Sequence, residues 1–117
     1  EQCTLKWEVI FSSIDLYIIL SKNAIKYNFS GGTVTVTATQ QNSQLHLTVE
    51  DTGNGIPEEL KERIFEPFFR LDKSRSRELG GVGLGLALVR EIVRVHNGSI
   101  LVKNNANSGT TFEVIFP

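Results

Sequence analysis

TVTVTATQQNSQLHLTVEDTGNG, from Thr33 to Gly55, is the stretch on which the fold turns. Val34, Val36 and Ala38 alternate with Thr33, Thr35, Thr37 and Thr39. A two-residue period of this kind belongs to a strand with one apolar face. Leu45, Leu47 and Val49 repeat it after a polar Gln40–Gln44 connection, so the two runs predict an antiparallel hairpin. The second run ends in Asp51-Thr52-Gly53-Asn54-Gly55, a cluster of turn formers at the end of a strand.

Working outward, Ser30-Gly31-Gly32 breaks the chain before the hairpin. Ile14, Tyr17, Ile18, Ala24 and Ile25 recur at three- and four-residue steps and predict a helix from Ser13 to Tyr27, buried along that side. Leu5 to Phe11 is apolar and branched, and predicts a strand. After the hairpin, Pro57-Glu58-Glu59 predicts a short helix start, with proline early and acidic residues where the helix dipole favours them. Phe65, Phe68 and Phe69 are expected to be core aromatics, or to anchor the charged segment that follows or dock another domain. Arg70 to Gly80 predicts a mobile loop. Leu84 to His96 returns to helical spacing, with Leu88, Ile92 and Val95 inward, Arg90 and Arg94 outward, and Asn97-Gly98 as its stop. Ile100 to Lys103 and Thr111 to Phe116 complete the set as strands around an Asn-rich turn. The expected fold class is α/β (α+β): a two-layer sandwich with helices on one face of a mixed, mostly antiparallel sheet.

With 117 residues the chain forms one domain, 1–117. A hydrophobic content of 40% and a charged content of 21% are those of a globular protein. A net charge of −1 gives no electrostatic case for nucleic acid or an anionic membrane as partner. The apolar run from Val9 to Leu20 is interrupted by Ser12, Ser13 and Asp15, so no membrane contact is expected. Cys3 is the single cysteine, which suits a reducing cytosol.

Three clusters carry chemistry. Gly81-Val82-Gly83-Leu84-Gly85-Leu86 opens a helix, where unpaired N–H groups and the dipole favour phosphate. It lacks the preceding strand of a dinucleotide fingerprint and the Lys-Ser or Lys-Thr of a P-loop. Asp51 is an acceptor suited to an adenine amino group, and Gly53 and Gly55 let a ring lie against bare backbone. A plain tight turn is the simpler alternative there. Asn23 carries an amide oxygen suited to Mg²⁺, although an isolated asparagine ordinarily bonds to its neighbours. Lys26 lies on the same side of the helix and is placed to reach a phosphate. Tyr27 either packs on a nucleotide or ends the helix against the core. Arg70, next to Phe68-Phe69, is the best phosphate candidate among Arg70, Lys73, Arg75 and Arg77. His46 and His96 have no partner in sequence that suggests acid–base work. Together these clusters describe a nucleotide site.

In this order the blocks resemble the catalytic ATP-binding domain of sensor histidine kinases, within the wider group of gyrase, heat-shock-chaperone and mismatch-repair ATPases. Lys22 to Tyr27 is similar to the N box, Asp51 to Pro57 to the G1 box and Ile64 to Arg70 to the F box. Gly81 to Leu86 is similar to the G2 box, and Gly109-Thr110-Thr111-Phe112 to the closing glycine-threonine motif. The resemblance implies the Bergerat sandwich, with ATP and Mg²⁺ bound. Asn23 would ligate the metal, and Lys26 and Arg70 would contact phosphates. Tyr27 would flank the nucleotide. Asp51 would bind the adenine amino group, with Gly55, Ile56 and Leu86 lining the base and Thr110 supporting Asp51. Leu71 to Val82 would be an ATP lid. The phosphoryl group would pass to a histidine on a separate dimerisation domain of the same kinase, and onward to a response regulator. The chain would be the cytoplasmic part of a membrane-bound sensor.

Two positions depart from the family pattern. Ile19 stands where a second N-box asparagine is usual, and the expected aspartate is missing near Val9. Two other readings therefore accompany a histidine kinase: a nucleotide-binding module with weak or no transfer, and a serine-directed relative of the anti-sigma-factor type.

Overall fold

The computed structural model describes residues 7–26, 28, 30–69, 84–106 and 108–117, with side chains from Ser13 onward. Helix α1 spans Trp7–Lys26. Strands β1 (Val34–Gln41) and β2 (Gln44–Asp51) follow, then single 3₁₀ turns at Glu58–Leu60 and Arg63–Phe65. Helix α2 (Gly85–Val95) leads to β3 (Ser99–Asn104) and β4 (Thr110–Phe116).

The four strands lie in the order β1-β2-β4-β3, and every pairing among the described residues is antiparallel. The parallel component of the expected mixed sheet is thus not found there. Alternate residues of the central strands, Leu45, Leu47 and Val49 on β2 and Phe112, Val114 and Phe116 on β4, are buried on one face. Leu16, Leu20 and Ala24 of α1 and Val89 and Val93 of α2 join them in a single core. The result is the two-layer sandwich with its helices on one face.

The hairpin forms in the expected register, but its strands run further than composition suggests. Gln40, Gln41 and Gln44 belong to the ladder, and only Asn42 and Ser43 make the turn, at φ 49° and 66°. Two consecutive left-handed residues define the tight turn whose twist matches that of the strands.

Residues 7–11 are helical, so the predicted Leu5–Phe11 strand does not form over that range. No glycine or proline interrupts the sequence before Gly31, and the helix therefore continues through this apolar segment. The buried side of α1 also differs from expectation. Ser13, Leu16, Leu20 and Ala24, at steps of three, four and four residues, are buried, whereas Ile14, Ile18 and Ile25 are exposed, Ile25 by 67%. Five successive apolar residues, Leu16 to Leu20, wrap right round the helix. Periodicity alone cannot choose a face there; small Ala24 permits the close approach. In α2 the inward residues are Val89 and Val93 with half-buried Ile92, while Leu88 and Val95 point outward. The inward stripe is centred between Val89 and Val93, which leaves Leu88 and Val95 on its flank.

Helix α2 ends in a Schellman arrangement, with Gly98 N–H donating to Val93 O and Asn97 N–H to Arg94 O. Asn97 is the left-handed residue, at φ 58°. Phe65 is buried and meets Phe112 edge-on at 6.4 Å between ring centroids. Phe69 is half-buried under the Arg63 guanidinium, 4.7 Å from the ring centroid. Phe68 is no core aromatic: it is 70% exposed on a left-handed backbone.

Replacing Leu20 with alanine should destabilise the domain by about 2–5 kcal/mol, the cost of a cavity in a packed core. Ile18→Ala on the exposed side should stay within about 0.5 kcal/mol. Urea unfolding of both variants checks the helix phase, and comparable losses would overturn it.

Candidate functional site: a buried aspartate on a glycine loop

Asp51 is the last residue of β2 and faces the same side as Val49, so the strand delivers its carboxylate to the edge of the core. The residue is only 8% exposed. Oδ1 accepts the Gly53 N–H at 2.9 Å and the Thr110 N–H at 3.2 Å. Burial raises the carboxyl above the usual aspartate value; the two N–H groups oppose the shift, and neighbouring Glu50 adds to it. Thr110 reaches Asp51 through its backbone N–H.

Gly109 explains how the two strands come so near. It sits at φ 98°, and a Cβ there would overlap the Asp51 carbonyl oxygen. Only glycine fits where β4 begins against the back of the loop that follows Asp51.

The loop after Asp51 is held from both sides. On one side, Thr52 N–H donates to Thr33 O at 3.2 Å, Thr33 N–H to Thr52 Oγ1 at 2.9 Å, and Asn28 Nδ2 to Thr33 O at 2.8 Å. These bonds tie the loop to the segment that follows α1. On the other side stands the turn between β3 and β4. Asn105 Nδ2 donates to Asp51 O at 3.0 Å, and Ser108 Oγ lies 2.6 Å from Gly53 O and 3.0 Å from Thr52 O. Asn104 Nδ2 donates to Ile56 O at 2.9 Å, and its Oδ1 accepts the Ile56 N–H at 2.9 Å. Ile56 is buried beside this pair.

Asn23 is half-buried on α1, one turn after Ile19 and on the same helical face. That face looks toward the start of α2, where a Cβ on Gly85 would stand 3.3 Å from Ile19 Cγ2. Lys26 is the last residue of the same helix, three positions beyond Asn23. Leu84 precedes the first helical residue without a side-chain cap, Gly85 is exposed and Leu86 is half-buried against the core. Tyr27, Arg70, Lys73, Arg75, Arg77, Gly81, Val82 and Gly83 lie outside the described residues, as does the expected lid from Leu71 to Val82. His96 caps the far end of α2 and packs edge-on against Phe116, at 5.8 Å between centroids. His46 lies on β2 between Leu45 and Leu47, on the face away from the helices.

Sequence reasoning missed Asn28, Thr52, Asn104, Asn105 and Ser108 as parts of this site. Their composition signals side chains that bond to backbone. It gives no sign that the partners of the last three stand some fifty positions upstream.

The family of histidine kinase-, DNA gyrase B- and HSP90-like ATPases matches residues 15–117, and the chain belongs to that family. Among its members it is similar to histidine kinases. It is 45% identical over 101 residues to the signal transduction histidine-protein kinase ArlS of Staphylococcus aureus, covering 86% of this chain and 22% of that protein. The mycobacterial sensor histidine kinase MprB superposes with a TM-score of 0.77 at 30% identity, covering 92% of this chain and 70% of that one. The histidine kinase ThkA, solved in complex with the response regulator TrrA, gives a TM-score of 0.69 at 33% identity, over 87% of this chain and 27% of that one. The chain thus spans about a fifth of the length of the curated relative, and its architecture is that of histidine kinase catalytic domains.

Asp51 has a consequence for stability. Its folded pKa is raised, so its contribution is full below the unfolded value and is lost as pH rises through the folded value. Asp51→Asn keeps an acceptor for both N–H groups and does not titrate. The melting temperature of the variant should therefore gain on that of the parent as pH rises from about 4, the ordinary aspartate value. A difference that stays flat across the acidic range would refute the shift.

Proposed function

We propose that the chain binds ATP with Mg²⁺ and positions the terminal phosphate for transfer to a histidine on a separate dimerisation domain in two-component signalling. The observation that carries this reading is the buried Asp51 carboxylate, fixed through Oδ1 beside a glycine loop and Ile56. Its second oxygen, Oδ2, is the acceptor for the adenine amino hydrogen. Gly53, Gly55, Ile56 and Leu86 line the base, and Tyr27 flanks it. Lys26, Arg70 and the backbone N–H groups of Gly81 to Gly85 meet the phosphates.

Asn23 contributes a neutral oxygen ligand for Mg²⁺, of the hard kind that ion prefers. Among the described residues no three His, Cys, Asp or Glu side chains cluster as a metal cage. That suits an ion held mostly by phosphates and water. When bound, Mg²⁺ neutralises charge on the phosphates. The protein's own share is positioning and electrostatic stabilisation, with little covalent chemistry. The phosphoacceptor histidine belongs to the partner domain: His96 sits at the opposite end of α2 from Leu84–Leu86, and His46 on the outer sheet face. A response regulator then receives the phosphoryl group, and the kinase as a whole acts as a membrane-bound sensor with this domain in the cytoplasm.

A second reading, a nucleotide-binding module with weak transfer, draws on one observation. Ile19 places a methyl group beside Gly85, on the helical face where a polar side chain is usual in the family.

Calorimetry with ATP and Mg²⁺, followed by transfer to a histidine-bearing helical domain added in trans, tests both. Binding with transfer supports the kinase, binding without transfer supports the module, and no binding removes both. Asp51→Asn should reduce discrimination between ATP and GTP by at least about tenfold, the worth of one charged hydrogen bond. Asn23→Ala should weaken ATP binding in the presence of Mg²⁺ and leave metal-free binding unchanged; equal effects in both conditions count against the ligand role.

A further inference from the structure

The last pair of the β3–β4 ladder is Asn104 with Thr110. Thr110 sends its N–H to Asp51, and Asn104 sends its side chain to Ile56. One β-pair therefore holds both ends of the recognition loop, the carboxylate and the apolar residue five positions later. We propose that Asn104 is a positioning residue for purine recognition, a clamp that sets the height of Ile56 relative to the Asp51 carboxylate. The proposal rests on the nucleotide reading above and deepens it.

The geometry of the clamp is specific. A single carboxamide meets both backbone groups of Ile56, as acceptor for the N–H and donor to the carbonyl, each at 2.9 Å. That is the pattern a neighbouring strand would offer, supplied here by one side chain. Residues 52–57 between β2 and the first 3₁₀ turn form no regular structure of their own. Gly55 sits at φ 80°, and a Cβ there would stand 2.9 Å from Asn104 Oδ1. The glycine thus leaves room for the amide as well as for the turn.

Asn105 and Ser108 hold the carbonyls of Asp51, Thr52 and Gly53 from the same turn. Three carbonyls at the start of the loop are therefore engaged from this side, and among the described residues of this connection Asn104 is the one bonded to Ile56. A turn that merely closed β3 onto β4 would have no need to grip a residue 48 positions away.

The test uses the full 117-residue chain in three forms: unmodified, Asn104→Ala and Asn104→Asp. Titrations with ATP, GTP and tripolyphosphate, each with Mg²⁺, are paired with amide hydrogen exchange at Ile56 in the ligand-free protein. In Asn104→Ala the ATP dissociation constant should rise about tenfold, the worth of roughly one net hydrogen bond. Preference for ATP over GTP should fall, tripolyphosphate binding should be unchanged, and exchange protection at Ile56 should be lost. Asn104→Asp keeps the acceptor and loses the donor, so it should retain Ile56 protection and show a smaller loss of affinity. It decides the matter if the alanine variant does not fold. Wild-type affinity and selectivity in Asn104→Ala would overturn the proposal, as would equal weakening of ATP and tripolyphosphate. If the unmodified chain binds tripolyphosphate and no adenine nucleotide, the nucleotide reading fails. The clamp is then judged by Ile56 exchange alone, and protection surviving in Asn104→Ala overturns it.

Discussion

A carboxylate placed in a nearly dry position must be held by donors, and around Asp51 that requirement organises the domain. Gly53 N–H comes from the loop that Asp51 itself begins, while Thr110 N–H comes from a strand almost sixty residues later. The second donor arrives only if β4 packs directly beside β2, as the sheet order dictates. Gly109 then becomes obligatory, because any side chain at that point would displace the Asp51 backbone. Burial still raises the carboxyl against these two bonds. The two N–H groups therefore offset the desolvation of the carboxylate only in part.

The two sides of the site are built by different means. The sheet side is a polar framework in which side-chain amides and hydroxyls from residues 28, 52, 104, 105 and 108 satisfy backbone groups. The other side is built from helices: α1 carries Asn23 and Lys26, and α2 begins at Gly85. Between the two helices Ile19 is an apolar neighbour of Gly85, its Cγ2 3.3 Å from where a Cβ on that glycine would stand.

Much of this was legible in the chain. The Val-Thr alternation marks β1, the Leu-His-Leu-Thr-Val run marks β2, and Asp51 with its glycines marks the loop, because strand period and turn chemistry are local properties. The helix faces were not legible. Leu16 to Leu20 is apolar all round, and only packing against the sheet selects Leu16 and Leu20 over Ile14 and Ile18. The same holds for Val89 and Val93 over Leu88 and Val95. Residues 7–11 were misread because branched apolar residues suit a strand by propensity, and propensity yields to an uninterrupted helix. Asn104 was visible as a turn residue; its partner Ile56 was hidden, since local sequence carries no record of contacts made across the sheet.

The placement of β4 between β2 and β3 has a bearing on biogenesis. Translation is vectorial, so the hairpin of β1 and β2 emerges from the ribosome long before its central neighbour exists. Until residues 104 to 110 have been synthesised, Asp51 lacks the Thr110 N–H and the loop lacks its bonds to Asn104, Asn105 and Ser108. A nascent chain that ends before β4 accordingly carries the Asp51 carboxylate without the strand that completes its surroundings.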